Sequence, residues 1–385
     1  MHNIKRSLAA MLTAGAVVAA LGACSSPGAG GSGQGGASGD VPAVVAENLA
    51  KYRDAAPPDY AGEPFDASPA KGKQVWWVTM YSGNPFLAAV GANFKAALEH
   101  AGVEVTTCDG KSNPVDYNNC ISQAVAQGAD AIQVDGPEAA TYANALAEAN
   151  AAGIPVLSGA AVDASGELHQ GLAGQSSQAF VRSGELVADW IVADSGGSAN
   201  VLFLTTPDVI GSLQEQEAFS ARMTEVCPAC TVTVKGVTIG NWASDLGPTT
   251  SAELTRNPTI DYVVPAFDPM TQFTNPAIQQ AGKSGQVKVA TINGSYQPMR
   301  ELADGGLVAA EIGNDLNALG YIEADLVLRA LVGAPTVQNA IAPVRIFDSN
   351  NVGELALSPE TTIDGSWYAG QGVTADYFAR LWAGT

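Results

Sequence analysis

Residues 73–107 read KQVWWVTMYSGNPFLAAVGANFKAALEHAGVEVTT, and the order of patterns in them decides the fold. Gln74 to Met80 is an apolar run of β-branched and aromatic residues, the composition of a strand covered on both faces. Asn84 followed by Pro85 is a helix start, with a side-chain acceptor at the cap and a proline where no N–H is needed. Apolar residues then recur at helical spacing from Phe86 to His100, Gly102 ends the helix, and Val103 to Thr107 is strand again. Strand, helix, strand in this order is a βαβ unit.

The alternation continues outward. Helix Asp116 to Gln127 leads to strand Ala131 to Val134, and helix Ala139 to Ala151, closed by Gly153, leads to strand Ile154 to Leu157. A second round follows: helix Gln178 to Val192, strand Asn200 to Leu204, helix Ser212 to Val226, strand Val232 to Val237, helix Thr249 to Arg256, strand Tyr262 to Pro265, helix Asn275 to Ala281 and strand Val287 to Ile292. The pattern predicts an α/β protein of two doubly wound parallel-sheet lobes, with a ligand cleft between the carboxyl ends of their strands.

With 46% hydrophobic residues, the 385-residue chain can build two cores. Eighteen Lys and Arg against 38 Asp and Glu give a net charge of −20, which argues against a nucleic-acid surface. Lys5 and Arg6 precede an apolar run, Leu8 to Leu21, that is too short to span a bilayer and has the order of an export signal. It ends in Leu21-Gly22-Ala23-Cys24, which resembles the lipobox of bacterial lipoproteins. The resemblance implies a signal peptide over 1–23, a lipid on Cys24 and a location on the outer face of the cell membrane. Residues 24–40, rich in Gly and Ser, form a flexible tether of roughly 20 Å. Pro57, Pro58, Pro64 and Pro69 mark 41–72 as an appendage on the surface of the body.

The remaining cysteines, Cys108 with Cys120 and Cys227 with Cys230, are spaced for two local disulfides in an oxidising compartment. His100 and His169 read as surface residues, and no P-loop or GxSxG follows a strand. No enzyme, metal site or cofactor is expected.

Gly83-Asn84-Pro85-Phe86, Gly128-Ala129-Asp130-Ala131-Ile132 and Ala152-Gly153-Ile154-Pro155-Val156 resemble, in order and spacing, the type I periplasmic sugar-binding proteins, the ribose-binding-like receptors of ABC importers. The likeness extends more weakly from Val201 to Gly333. It implies a hinge of three strands between the lobes and closure on a ligand, with lobes over 73–174 plus 312–340 and over 175–311 plus 341–385. It also implies a ligand site drawn from Asn84, Phe86, Gln214, Glu215, Trp242, Phe267, Asp268, Asn293 and Glu311. Asn293 stands where the family usually has an aspartate, and Glu311 where it commonly has glutamine. The acidic residue and arginine that the family places after the fourth strand are replaced by Ser158-Gly159-Ala160-Ala161. The expected function is a monomeric, lipid-anchored receptor that delivers a small polar ligand, a sugar or polyol, to an ABC permease. Two other readings stand beside it: a sensor that signals to a membrane protein, and a redox protein using Cys227 and Cys230.

Overall fold

Parallel strands covered on both sides set the architecture of the computed structural model, which describes residues 41–161, 168–338 and 340–384. The expected signal peptide, Cys24 and the tether lie outside the described residues. The chain runs through α1 (Ala43–Arg53), β1 (Gln74–Thr79), α2 (Pro85–His100), β2 (Glu104–Asp109), α3 (Pro114–Ala126), β3 (Ala131–Asp135), α4 (Ala143–Ala151), β4 (Val156–Gly159) and β5 (Gly174–Ser177). It continues through α5 (Phe180–Ser195), β6 (Asn200–Thr205), α6 (Ile210–Val226), β7 (Thr231–Gly236), α7 (Trp242–Arg256), β8 (Tyr262–Pro265), α8 (Thr271–Gln280) and β9 (Lys288–Asn293). The last elements are α9 (Tyr296–Ala303), β10 (Val308–Asn314), α10 (Leu316–Val332), β11 (Ala340–Ile341), β12 (Val344–Asp348) and α11 (Val373–Trp382).

Two sheets result, in the orders β11-β5-β4-β3-β1-β2 and β12-β10-β9-β8-β6-β7. Neighbours are parallel except β12, which runs antiparallel to β10. Parallel pairing puts the carboxyl ends of each sheet on one edge, where the loops that can carry a site collect. The two lobes are joined in mid-chain by Gln178–Ala179, Asp315 and Ala342–Pro343.

Alternation along β1 explains the first core. Trp77 turns toward Phe94, Leu98 and Leu326 of α2 and α10, while Trp76 turns toward Ile121, Leu146 and Tyr142 on the other face. The second core gathers Phe203, Phe219, Val263, Ile292, Ile312 and Phe347.

The ends of the chain depart from the expected boundaries. Helix α1 packs on α5 and β12 and buries Val45 and Leu49 in the second core. The chain then crosses to the first lobe, where Tyr60, Ala67 and Ala70 enter the core and the Tyr60 hydroxyl donates to Asp325 at 2.6 Å. β5 stays in the first sheet as far as Ser177, past the boundary expected at 174. The span 341–385, expected wholly in the second lobe, is also divided. β12, Trp367 and Tyr368 belong to the second lobe, but α11 returns to the first with Phe378, Leu381 and Trp382. Helix α10 is apolar nearly all round and needs this cover: Tyr321 stacks on Trp382 with ring centres 6.1 Å apart.

Helices α7 and α8 begin earlier than the expected Thr249 and Asn275, and carry Pro248 and Pro276 in their interiors. A proline leaves the carbonyl four residues back without a helical donor, and here those carbonyls belong to the exposed Ser244 and Gln272, where water can reach them.

Candidate functional site

At the edge of the first sheet, Asn84 caps α2, its side-chain oxygen accepting from the N–H groups of Phe86 and Leu87 at 2.9 and 3.3 Å. Phe86 is half-buried against a small cluster of Ala89, Val90, Leu316, Leu319 and Ala342, close to two of the lobe connections. The neighbouring loop is tied down by Asp109, which accepts from the Ser82 hydroxyl and from the Lys111 N–H, while the Cys108–Cys120 disulfide joins β2 to α3.

The last residue of β4 shows why position 159 is a glycine. A Cβ at Gly159 would lie 2.3 Å from Asp135, Gln133 and Glu323 side-chain atoms. Those groups form a buried polar cluster beneath the sheet: Trp77 and Gln133 donate to Asp135, and Ser176 donates to Glu323. Burial pushes both carboxyls up, and the nearby Asp135 charge adds to the effect on Glu323. Sequence reasoning missed this cluster; its one signal was Gln133 and Asp135 on one side of an otherwise apolar strand.

The second sheet contributes more. Trp242 opens α7, its indole N–H donating to the Thr206 hydroxyl at 3.1 Å. Its ring lies 6.3 Å from Phe267, which in turn meets Phe180 edge-on at 6.2 Å. Phe180, the first residue of α5, was not anticipated. Asp268 is fully buried, and accepts from the Ser295 N–H at 2.6 Å, the Ser295 hydroxyl at 2.9 Å and, more weakly, the Asn293 amide at 3.5 Å. Asn293 also accepts from Gln178 at 3.4 Å. Its φ of 126° is a strained value for a residue with a side chain, of the kind that marks functional positions.

Glu311 on β10 is fully buried, with Oε1 accepting from the Gly294 N–H at 2.8 Å. Tyr368, unforeseen in the sequence, brings its hydroxyl so close to Gly294 and Gly313 that a Cβ at either would clash. Glu215 on α6 is buried with neither oxygen bonded, and next to it Gln214 lines a cavity. That cavity, about 620 Å³, lies along the connections and is walled also by Ser176, Gln178, Phe180, Arg182 and Ala342. Of the expected site residues only Gln214 lines it; Glu215, Trp242, Phe267, Asp268, Asn293 and Glu311 belong to the aromatic and acidic group around Asp268, and Asn84 and Phe86 stand apart from both at the edge of the first sheet.

The electrostatics of that group follow from burial. It pushes the Asp268 carboxyl up to about 6 despite the bonds from Ser295 and Asn293. Glu311 is driven well above the carboxylate range by burial and the Asp268 charge, and Glu215 by burial and the Glu311 charge. Glu215 and Glu311 therefore hold protons near neutral pH and can donate as well as accept hydrogen bonds, whereas Asp268, at about 6, is mostly ionised there and accepts.

The Cys227–Cys230 disulfide follows α6 rather than opening a helix, and Cys227 is buried. This setting lacks the helix N-terminus that activates a redox cysteine. His100 and His169 are exposed. Among the described residues no helix is long and apolar enough to cross a membrane.

A family model of the periplasmic binding protein domain matches residues 75–335. The chain belongs to the periplasmic binding protein family. As one of its members, this protein is 25% identical over 256 residues to the ribose import binding protein RbsB of Escherichia coli, an alignment covering 64% of this chain and 81% of that one. A solute-binding protein of Actinobacillus succinogenes, solved with D-allose, has the same fold with a TM-score of 0.67 at 18% identity, over 74% of this chain and all of its own. A carbohydrate transporter protein of Acidothermus cellulolyticus, in complex with myo-inositol, gives 0.63 at 22% identity, over 76% and 99%.

Proposed function

We propose that this periplasmic binding protein captures a small polyhydroxylated solute, a sugar or polyol, by closing its lobes, and delivers it to an ABC permease while held to the membrane through a lipid on Cys24. One observation supports the reading most: the rings of Trp242, Phe267 and Phe180 stand in contact at the carboxyl edge of one sheet, where Asp268, Asn293 and Ser295 form a hydrogen-bonded set. An aromatic face packs on the C–H face of a sugar ring, while amide, hydroxyl and carboxylate groups pair with its hydroxyls. A buried polar group left unpaired costs about 1–3 kcal/mol, so a close analogue lacking one hydroxyl is rejected. Closure follows because the ligand binds the closed state, contacted by both lobes, better than the open one.

A thermal-shift screen of the mature protein against sugars and polyols tests the reading. A ligand that binds the native state raises the melting temperature, and a library that leaves it unmoved would refute the proposal. For the anchor, Cys24→Ser should move the protein from the membrane to the soluble fraction; retention of the variant on membranes would refute lipidation.

A further inference from the structure

We propose that residues Asp54 to Asp59 form a strut that narrows the range of angles between the two lobes. It acts on the lobe closure proposed above and goes beyond it. The connections at Gln178–Ala179, Asp315 and Ala342–Pro343 gather at the β11-β5 edge of one sheet and the β12-β10 edge of the other. Links confined to one edge leave two lobes free to bend and twist about them. Residues 54–59 add a further crossing, between two seats that are each fixed in a different lobe.

The second-lobe seat is α1. Val45 and Leu49 are buried in the core, Asn48 donates to Asp189 at 2.9 Å, and Arg53 meets Asp348 at 2.7 Å. The Arg53 carbonyl, where the helix ends, accepts from Arg345 at 2.7 Å. The first-lobe seat begins at Tyr60, whose hydroxyl donates to Asp325, whose ring lies 5.4 Å from Phe378, and whose carbonyl accepts from the Tyr377 hydroxyl at 2.8 Å. Arg329 then donates to the Glu63 carbonyl at 2.8 Å, and the Phe65 and Ala67 N–H groups donate to the carbonyls of Leu381 and Trp382. Both ends of the link are fastened, so a change of lobe angle must be taken up within residues 54–59.

That link is short and stiff. From Arg53 to Tyr60 the chain reaches about 24 Å at full extension. Its sequence, Asp54-Ala55-Ala56-Pro57-Pro58-Asp59, forms no helix or strand, and Pro58 is buried while the other residues are exposed. Consecutive prolines fix φ and hold the backbone extended, which makes a semi-rigid spacer. Tyr52 and Asp59 line the cavity together with Gln178, Ala342 and Pro343, so the strut runs alongside two of the connections. The C-terminal crossing between Tyr368 and α11 is of another kind. There Gly370 and Gly372 stand at φ of 105° and 79°, and glycine leaves the backbone compliant. A spacer of fixed length beside a hinge resists any rotation that changes the separation of its seats.

Pulsed electron spin resonance on the ligand-free mature protein tests this, in a Cys24→Ser background with spin labels on Val115→Cys and Ile239→Cys. Both positions are exposed and follow β2 and β7, the strands farthest from the connections, where a change of angle moves them most. An insert of about six Gly and Ser residues between Ala55 and Ala56 adds an r.m.s. span of about 13 Å and should broaden the distribution of label separations about twofold. The same insert between Ser284 and Gly285, an exposed turn within the second lobe, should leave the wild-type width. A protease site at Ala55–Ala56, cut in the folded sample, should broaden the distribution as the insert does, whether or not the longer chain folds. Wild-type width in the cut protein would overturn the strut, and so would a lowered melting temperature without broadening, which marks an arm that only stabilises. No solute enters the measurement, so that failure leaves the receptor reading to the thermal-shift screen.

Discussion

Asp315 offers a direct thermodynamic test of the acids buried where the lobes join. It caps α10, accepting from the Ala318 N–H at 3.0 Å, and is 1% exposed. Burial, reinforced by the Asp364 charge, pushes its carboxyl from 3.8 up to about 7. The folded form thus keeps a proton that the unfolded chain surrenders above pH 3.8, and stability is lost as pH rises toward 7, with no further loss beyond. Over that interval, at about 1.36 kcal/mol per pH unit, the loss amounts to about 4 kcal/mol. Asparagine keeps the capping oxygen but does not titrate. Asp315→Asn should therefore match the wild type near pH 4 and exceed its stability by about 4 kcal/mol at pH 8. Urea unfolding at stepped pH, followed by tryptophan fluorescence and circular dichroism, measures the difference. Parallel curves for the two proteins would refute the reasoning.

Arg222→Ala strands the buried Asp189, which Arg222 meets at 2.7 Å while Asn48 donates to its other oxygen. The expected cost is about 3 kcal/mol, read as a lowered melting temperature, and an unmoved transition would contradict the ion pair's role. At Gly320→Ala the new Cβ would lie 2.6–2.7 Å from Asn93, Phe94 and Val90 atoms of α2. This should separate α10 from α2 at about 1–3 kcal/mol in denaturant unfolding, a loss that wild-type stability would disprove. Trp242→Ala should weaken solute binding roughly tenfold in calorimetry without lowering the ligand-free melting temperature, and unchanged affinity would remove the ring from the site.

The βαβ order was legible because strands covered on both faces appear as unbroken apolar runs, as in Val75–Val78, and because Asn84-Pro85 spells a helix start. Helix α10 left no periodic trace, since a helix buried nearly all round has no polar stripe to set its period. Prolines 248 and 276 hid the starts of α7 and α8. Each acid of the second-lobe group could be named from the family resemblance, but not its desolvation or its like-charged neighbours. Those arise from residues far apart in the chain whose separation only the fold determines. Phe180 and Tyr368 escaped for the same reason, as did the crowding that keeps position 159 a glycine.

The threading of the two termini has a consequence for denaturation. The first lobe is assembled from three separate lengths of chain and the second from three others, each length ending where one from the opposite lobe begins. No cut at one point releases either lobe intact, and melting one strips α1 or α11 from its seat and tugs on the other. Heating should give one calorimetric peak rather than two, and a bisected gene should yield no soluble half.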